Sequence, residues 1–335
     1  MFEPLTTGTT LWSRYHILEL VARGGQGSIY KAEDLRLEGR LCAIKEVNPD
    51  VSASAEHQEQ AQEQFHREAS VMARLDHPNL PKVSDFFFYN GRDYLVMDYV
   101  AGQDLREIIE QQRAQKTFLP EKQVLEWANQ ITDALDYLHS QDPPILHRDI
   151  KPANIKLPPK GSLKLVDFGL VKLMGPDDNR TVTVLQGKGT VQYTPLEQYG
   201  GDTGHTDVRS DVYSLGATLF HLLTLQPPLE AKERFLYPHK LQSIRELNPN
   251  VTLKTEQAVI HALAMHPDER PKSVKVFKKE LLGDHIFSSD GIIGGWWGRE
   301  LQAALLHNRT IIAVVGLLLA LAIVLTTFAP ALPTP

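Results

Sequence analysis

The chain has 335 residues, 42% of them apolar and 23% charged; this excludes intrinsic disorder and a collagen-like or low-complexity class, and leaves room for about two domains. Thirty-five basic against 41 acidic side chains leave a net charge of −6, so no broad positive field exists to hold a phosphate backbone, and nucleic acid is not expected as a partner. The single cysteine, Cys42, closes no intramolecular disulfide and provides too few thiols for a structural zinc site, which suits a reducing compartment.

From Tyr15 to Tyr99 the pattern predicts a sheet. The segments YHILEL, GSIYKAE, LCAIKEV, KVSDFFFY and DYLVMDY are rich in β-branched and aromatic residues and are separated by Gly, Asn, Asp or polar runs. One helix interrupts them, with Phe65, Ala69 and Met72 at i, i+4 and i+7. After Gly102 the periodicity turns helical: Leu125, Ala128, Ile131, Leu135 and Leu138 trace one apolar stripe, and SDVYSLGATLFHLLT and TEQAVIHALA read as helices too. The expectation is an α+β, bilobal chain. A small antiparallel sheet with one helix (15–97) joins a larger, mainly helical lobe (102–282) near Met97 to Gly102, and the cleft between them is the natural ligand site.

Residues 283–309 read as a linker, followed by an uncharged stretch, IIAVVGLLLALAIVLTTFA from Ile311 to Ala329. At ~1.5 Å rise per residue this stretch matches a bilayer core of ~30 Å, which predicts a single transmembrane helix at 310–329 and an extracytoplasmic tail at 330–335. Arg299 and Arg309 precede the span and no charged side chain follows it, so everything before it is expected in the cytoplasm. Trp297, Leu301 and Leu305 share one helix face, and Trp296 with Trp297 suits either the headgroup zone or packing on the soluble part. Gly316 and Ala320 have the small-xxx-small spacing of paired membrane helices and point to a homodimer.

Chemistry-bearing motifs begin with ARGGQGSIY, Ala22 to Tyr30, a glycine-rich turn between strands where missing Cβ atoms let backbone N–H groups approach phosphate oxygens; alone it reads more readily as a plain turn. Cys42-Ala43-Ile44-Lys45 then puts a lysine within an apolar strand. A buried ammonium there needs an anion, and Glu68 on the early helix qualifies; otherwise the lysine head lies in water at a strand edge. HRDIKPAN, His147 to Asn154, gathers Asp149, Lys151 and Asn154 in one loop. A carboxylate orients and deprotonates an attacking hydroxyl, an ammonium neutralises phosphoryl charge, and a side-chain amide ligates Mg²⁺. Asp167-Phe168-Gly169 follows the strand-like LKLV and supplies a second hard oxygen ligand. The order of all these elements together is what outweighs their separate structural readings.

The sequence resembles the Ser/Thr protein kinase family, in particular the eukaryotic-like kinases of bacteria, from about Tyr15 to Leu282. The resemblance implies phosphoryl transfer from ATP, with Mg²⁺ or Mn²⁺, to Ser/Thr hydroxyls of protein substrates, by a kinase anchored in the cell membrane through its C-terminal helix. It implies that Lys45 holds the α/β-phosphates and pairs with Glu68, that Asp149 is the catalytic base and Lys151 the γ-phosphate contact, and that Asn154 and Asp167 ligate the metal. Ala22, Gly24, Gly25, Gly27, Ile29 and Ala43 would line the nucleotide. Met97 would be the gatekeeper, Asp98 to Val100 the adenine-facing hinge, and Asp104 the ribose neighbour.

In the larger lobe, GTVQYTPLEQ (Gly189 to Gln198) is similar to the segment that closes the activation loop. Glu197 is expected to pair with Arg270, and Asp211 to brace the catalytic loop. Thr190 corresponds to a residue touching the catalytic Asp and Lys. Thr181 and Thr183 are the expected regulatory phosphosites, whose added charge Arg148 would receive. Two departures stand out. Ala22 replaces the usual first glycine, and Lys156 stands where the family places an apolar side chain beneath the adenine. Both motivate an alternative, a nucleotide-binding pseudokinase serving as a membrane scaffold. A small-molecule phosphotransferase of similar fold is a third reading, opposed by the long segment ending in GTVQY.

Overall fold

Burial alternates along GSIYKAED, where Ser28, Tyr30, Ala32 and Asp34 point inward and the residues between them stay partly exposed; that period of two makes Gly27–Asp34 a strand covered on one face. In the computed structural model, which describes residues 3–24, 27–48, 53–167, 191–199, 206–237 and 240–283, this strand is β3. It joins β1 (Thr10–Leu11), β2 (Tyr15–Gly24), β4 (Leu41–Val47), β5 (Val83–Tyr89) and β6 (Arg92–Asp98) in an antiparallel sheet ordered β1-β2-β3-β4-β6-β5. Helix α1 (Ala55–Met72) lies between β4 and β5, with the Ser54 hydroxyl accepting from the backbone of His57 at its start. It buries the expected Phe65, Ala69 and Met72 together with one carboxylate, Glu68. The sheet exceeds its expected start: β1 precedes Tyr15, and β2 runs on to Gly24.

The second half opens with a three-stranded sheet of β7 (Gln103–Asp104), β8 (Ile155–Leu157) and β9 (Lys164–Leu165). Around it stand α2 (Leu105–Gln115), α3 (Glu121–His139), α4 (Val208–Thr224), α5 (Ala231–Leu236), α6 (Ile244–Leu247), α7 (Leu253–Ala262) and α8 (Val274–Leu282). In α3 the buried stripe runs through Val124, Ala128, Ile131, Leu135 and Leu138; Leu125, expected on it, is only partly buried. The four-residue step from Val124 to Ala128 follows the helical period better than the three-residue step from Leu125.

Helix α4 is buried on every side from Ser210 to Thr224, as befits a central helix. Its hydroxyls are satisfied within the helix, Thr218 donating to the Ser214 carbonyl at 2.9 Å and Thr224 to that of Phe220 at 2.7 Å. Gly216 lets α7 approach, since a Cβ there would fall 2.9 Å from that of Ala262. The expected transmembrane helix and the residues after Gly283 lie outside the described residues. Among the described residues no helix is long and apolar enough to cross a membrane.

Candidate active site

Strands β2 and β3 converge on the glycine-rich turn, where Gly24 pairs with Gly27. Gly27 has φ +145°, and a Cβ there would sit 1.8 Å from the Glu46 carbonyl, so this glycine is required by the approach of β3 to β4. At Gly24 no heavy atom lies within 4 Å of the Cβ position, which leaves that side of the turn open. Ala22 is exposed and pairs with Ile29 just after a register shift in β2, and its φ is not positive, so nothing in its backbone calls for a glycine. Gly25 lies outside the described residues, as do Thr181, Thr183 and Thr190.

Lys45 projects from β4 and is 6% exposed, which removes the water-facing reading. Its ammonium meets Asp167 Oδ1 at 2.6 Å, across 122 residues of chain. The expected Lys45–Glu68 pair is not among the ion pairs within 4.0 Å formed by the described residues. Buried Glu68 accepts from Gln64 Nε2 at 2.9 Å, one helical turn earlier. Asp167 has φ +55°, a conformation that turns it out of the end of the β9 segment toward the lysine. Burial raises its pKa, but Lys45, then Lys151 and His147, hold its carboxyl below the usual range.

The connection between the two halves is drawn tight by backbone contacts. Met97 is buried in β6 between Ala43 and Val83, and Asp98 N–H donates to the Lys82 carbonyl at 3.0 Å. Val100 is partly buried beyond it. Gly102, at φ +113°, presses against β8, where a Cβ would stand 2.2 Å from the Leu157 carbonyl. Lys156 turns its amino group outward to the Gly102 carbonyl at 3.3 Å, the snorkelling that a charge at this position requires. Asp104, expected beside a ribose, caps α2. Its Oδ1 accepts from Glu107 N–H at 2.9 Å, and the Glu107 side chain accepts from Asp104 N–H at 3.0 Å.

The HRDIKPAN loop is held from beneath by α4. Arg148 has φ +63°, and the Asp211 carboxylate accepts from the N–H groups of His147 and Arg148 at 2.9 and 2.8 Å. His139 Nε2 completes the set at 2.9 Å. Burial raises the pKa of Asp211, but His139 and His147 hold it low, so it stays an anion bracing a strained turn. In the loop itself Asp149 Oδ2 accepts from Lys151 Nζ at 2.8 Å and from Asn154 Nδ2 at 2.9 Å. The same Asn154 amide also donates to the Asp149 carbonyl at 2.8 Å, which leaves its oxygen for other partners. Asp149 Oδ1 is buried with no hydrogen-bond partner among the described residues. An orphaned carboxylate oxygen is costly, and this one belongs to a loop built of phosphate- and metal-binding residue types.

Glu197 and Arg270 form the expected pair, two N–H···O contacts at 2.6 and 3.1 Å, with the Ser210 hydroxyl donating to the same carboxylate at 2.7 Å. Nearby, the Tyr193 hydroxyl and His221 Nδ1 share a hydrogen bond of 2.6 Å, and Arg113 lies 3.5 Å from the other ring nitrogen. Burial, reinforced by Arg113, pushes His221 down to about 4. The unfolded chain binds this proton near pH 6.5. Stability is therefore full above about pH 6.5 and declines as pH falls toward about 4, a loss of up to about 3 kcal/mol from this group. His221→Asn, whose amide keeps a hydrogen-bonding partner for Tyr193, is expected to flatten the urea stability profile over that window. An unchanged slope contradicts a buried neutral imidazole.

The comparisons with known proteins agree with this geometry. Residues 15–284 match the protein kinase domain. The chain belongs to the protein kinase family. The chain is 35% identical over 295 residues to a probable serine/threonine-protein kinase of Streptomyces coelicolor, covering 84% of this chain and 41% of that one. It is 32% identical over 294 residues to the serine/threonine-protein kinase PknB of Mycolicibacterium smegmatis, covering 84% and 44%. The chain thus spans about two fifths of the length of these curated relatives. Among solved structures it resembles the Mycobacterium tuberculosis PknI kinase domain, with a TM-score of 0.63 at 26% identity over 84% of this chain and all of that one.

Some positions of the kinase carried no sequence signal. His139 ends an amphipathic helix and reads as surface. Asn79, whose Nδ2 donates to the Leu163 carbonyl at 2.8 Å and so ties the early loop to β9, sits in a turn-like HPN that suggested nothing beyond a loop.

Proposed function

We propose that the chain is a Ser/Thr protein kinase that transfers the γ-phosphoryl group of ATP to hydroxyls of protein substrates, autophosphorylates in its activation loop and is anchored in the cell membrane by residues 311–329. The observation that carries the catalytic part is the convergence of Lys45, Asp149, Lys151, Asn154 and Asp167, with Asp149 Oδ1 buried and unpartnered among the described residues.

The donor set suits a divalent cation of the Mg²⁺ type. Asn154 offers its amide oxygen and Asp167 its carboxylate, and among the described residues no trio of His, Cys, Asp or Glu forms a closed metal site. Two protein oxygens leave the remaining positions to phosphate and water, the arrangement Mg²⁺ favours and Mn²⁺ accepts. When bound, the ion neutralises negative charge on the phosphates. Lys45, already buried and aimed at Asp167, holds phosphate oxygens. Asp149 aligns the substrate hydroxyl and takes its proton at Oδ1, and Lys151, resting on the opposite carboxylate oxygen, adds positive charge beside the transferred group.

The catalytic reading is favoured over the scaffold. Ala22 has no positive φ that would require a glycine, and Lys156 points its amino group at the Gly102 carbonyl. The test is transfer of label from ATP, with Mg²⁺, to a generic protein substrate. Lys45→Ala is expected to lower kcat about 10²–10³-fold while the protein stays folded. Unchanged transfer at a wild-type melting temperature contradicts the role of Lys45. For anchoring, the full chain is expected to stay with membranes through alkaline carbonate washing and to be released by deletion from Ile311 onward. A truncated chain that still pellets with lipid transfers that role to Trp296 and Trp297.

A further inference from the structure

Residues 3–11 precede the region that matches the protein kinase domain, yet they are fastened to its sheet at several points. Gly8 N–H donates to the Ile17 carbonyl at 2.9 Å, Ile17 N–H returns to Thr9 at 2.8 Å, and Thr10 and Leu11 pair with His16 and Tyr15. Leu11 is 2% exposed, and Leu5 packs on the outer apolar cluster of the sheet. These contacts hold β2, the strand that leads into the glycine-rich turn.

A second set reaches β4. Tyr30 O–H accepts from Leu5 N–H at 2.9 Å and donates to Glu46 Oε2 at 2.6 Å. Arg92 holds the other Glu46 oxygen and also donates to the Glu3 carbonyl at 3.3 Å. Glu46 is 1% exposed, so its charge depends on these partners. It is the chain neighbour of Lys45, and strand alternation puts the two on opposite faces of β4. The ties on one face therefore set where the lysine stands on the other.

We infer that residues 5–11 form a strap that fixes the glycine-rich turn and Lys45 for nucleotide binding, with Tyr30 and Glu46 as its positioning residues. The inference rests on the reading that ATP occupies the cleft. Neither residue touches that cleft; both act through the strands that line it.

The experiment compares the full chain with Tyr30→Phe, with a deletion of residues 1–9 and with Ile44→Val, a core truncation in the same strand that leaves the ties intact. KM for ATP, kcat at saturating ATP and melting temperature are measured for each. Tyr30→Phe is expected to raise KM for ATP about three- to tenfold with kcat within about twofold, the deletion to raise it further, and Ile44→Val to leave it unchanged at a comparable loss of stability. If the deletion does not fold, Tyr30→Phe decides. Equal KM in wild type and Tyr30→Phe overturns the strap, as does an equal rise in Ile44→Val. A wild-type chain that neither binds nor turns over ATP overturns the kinase reading and the strap with it.

Discussion

Asp149→Asn is expected to lower kcat for phosphotransfer by about 10²–10⁴-fold, the range for loss of a positioned general base. The geometry explains why the loss falls on rate and not on folding. Asp149 Oδ2 already serves Lys151 and Asn154, and an asparagine oxygen can keep both contacts. What changes is the second position, where a buried oxygen able to take a proton becomes an amide that cannot. Stability is expected to stay within about 1 kcal/mol, because the loop is braced mainly by Asp211 from below. Steady-state kinetics and urea unfolding on the same preparation check both halves. Retained turnover contradicts the base assignment, and a folding loss that accounts for the missing activity contradicts it equally.

Arg270→Met is expected to cost about 3–5 kcal/mol of folding stability, the usual penalty for stripping one partner from a buried ion pair. The Arg270 side chain is wholly buried and that of Glu197 6% exposed, so water cannot replace the missing guanidinium. Arg270 also donates to the carbonyls of Ala264 at 2.8 Å and Met265 at 2.9 Å, and lies over the Tyr213 ring at 4.8 Å. Methionine fills much of the volume yet satisfies none of these acceptors. Glu197→Gln retains hydrogen-bonding capacity and is expected to cost less. Urea unfolding measures both, and a cost below about 1 kcal/mol for Arg270→Met contradicts the pair as the anchor of the 191–199 segment.

The candidate site was legible as a set of residue types suited to phosphoryl transfer, Lys45, Asp149, Asn154 and Asp167, placed in a fixed order along the chain. The sheet was legible for a different reason: one face is covered, so its strands alternate. The partner of Lys45 was not legible. Its 2.6 Å contact with Asp167 depends on how two distant segments fold together, and no local pattern encodes that.

The strap was hidden too. Its strand has two residues and is followed by left-handed Trp12 and Ser13, a pattern with no periodicity. Within LCAIKEV the alternation gives no sign that Glu46 is buried, because a carboxylate at a strand end normally faces water. In α4 the amphipathic signal was weak because the helix is covered on every side.

The most direct measurement of the central claim is a crystal structure of the chain with Mg²⁺ and a non-hydrolysable ATP analogue. Lys45 Nζ is expected within hydrogen-bond reach of the α- or β-phosphate, the ion on oxygens of Asn154 and Asp167, and Asp149 Oδ1 toward the space beyond the γ-phosphate. A nucleotide bound elsewhere, or one whose phosphates meet none of these side chains, contradicts it.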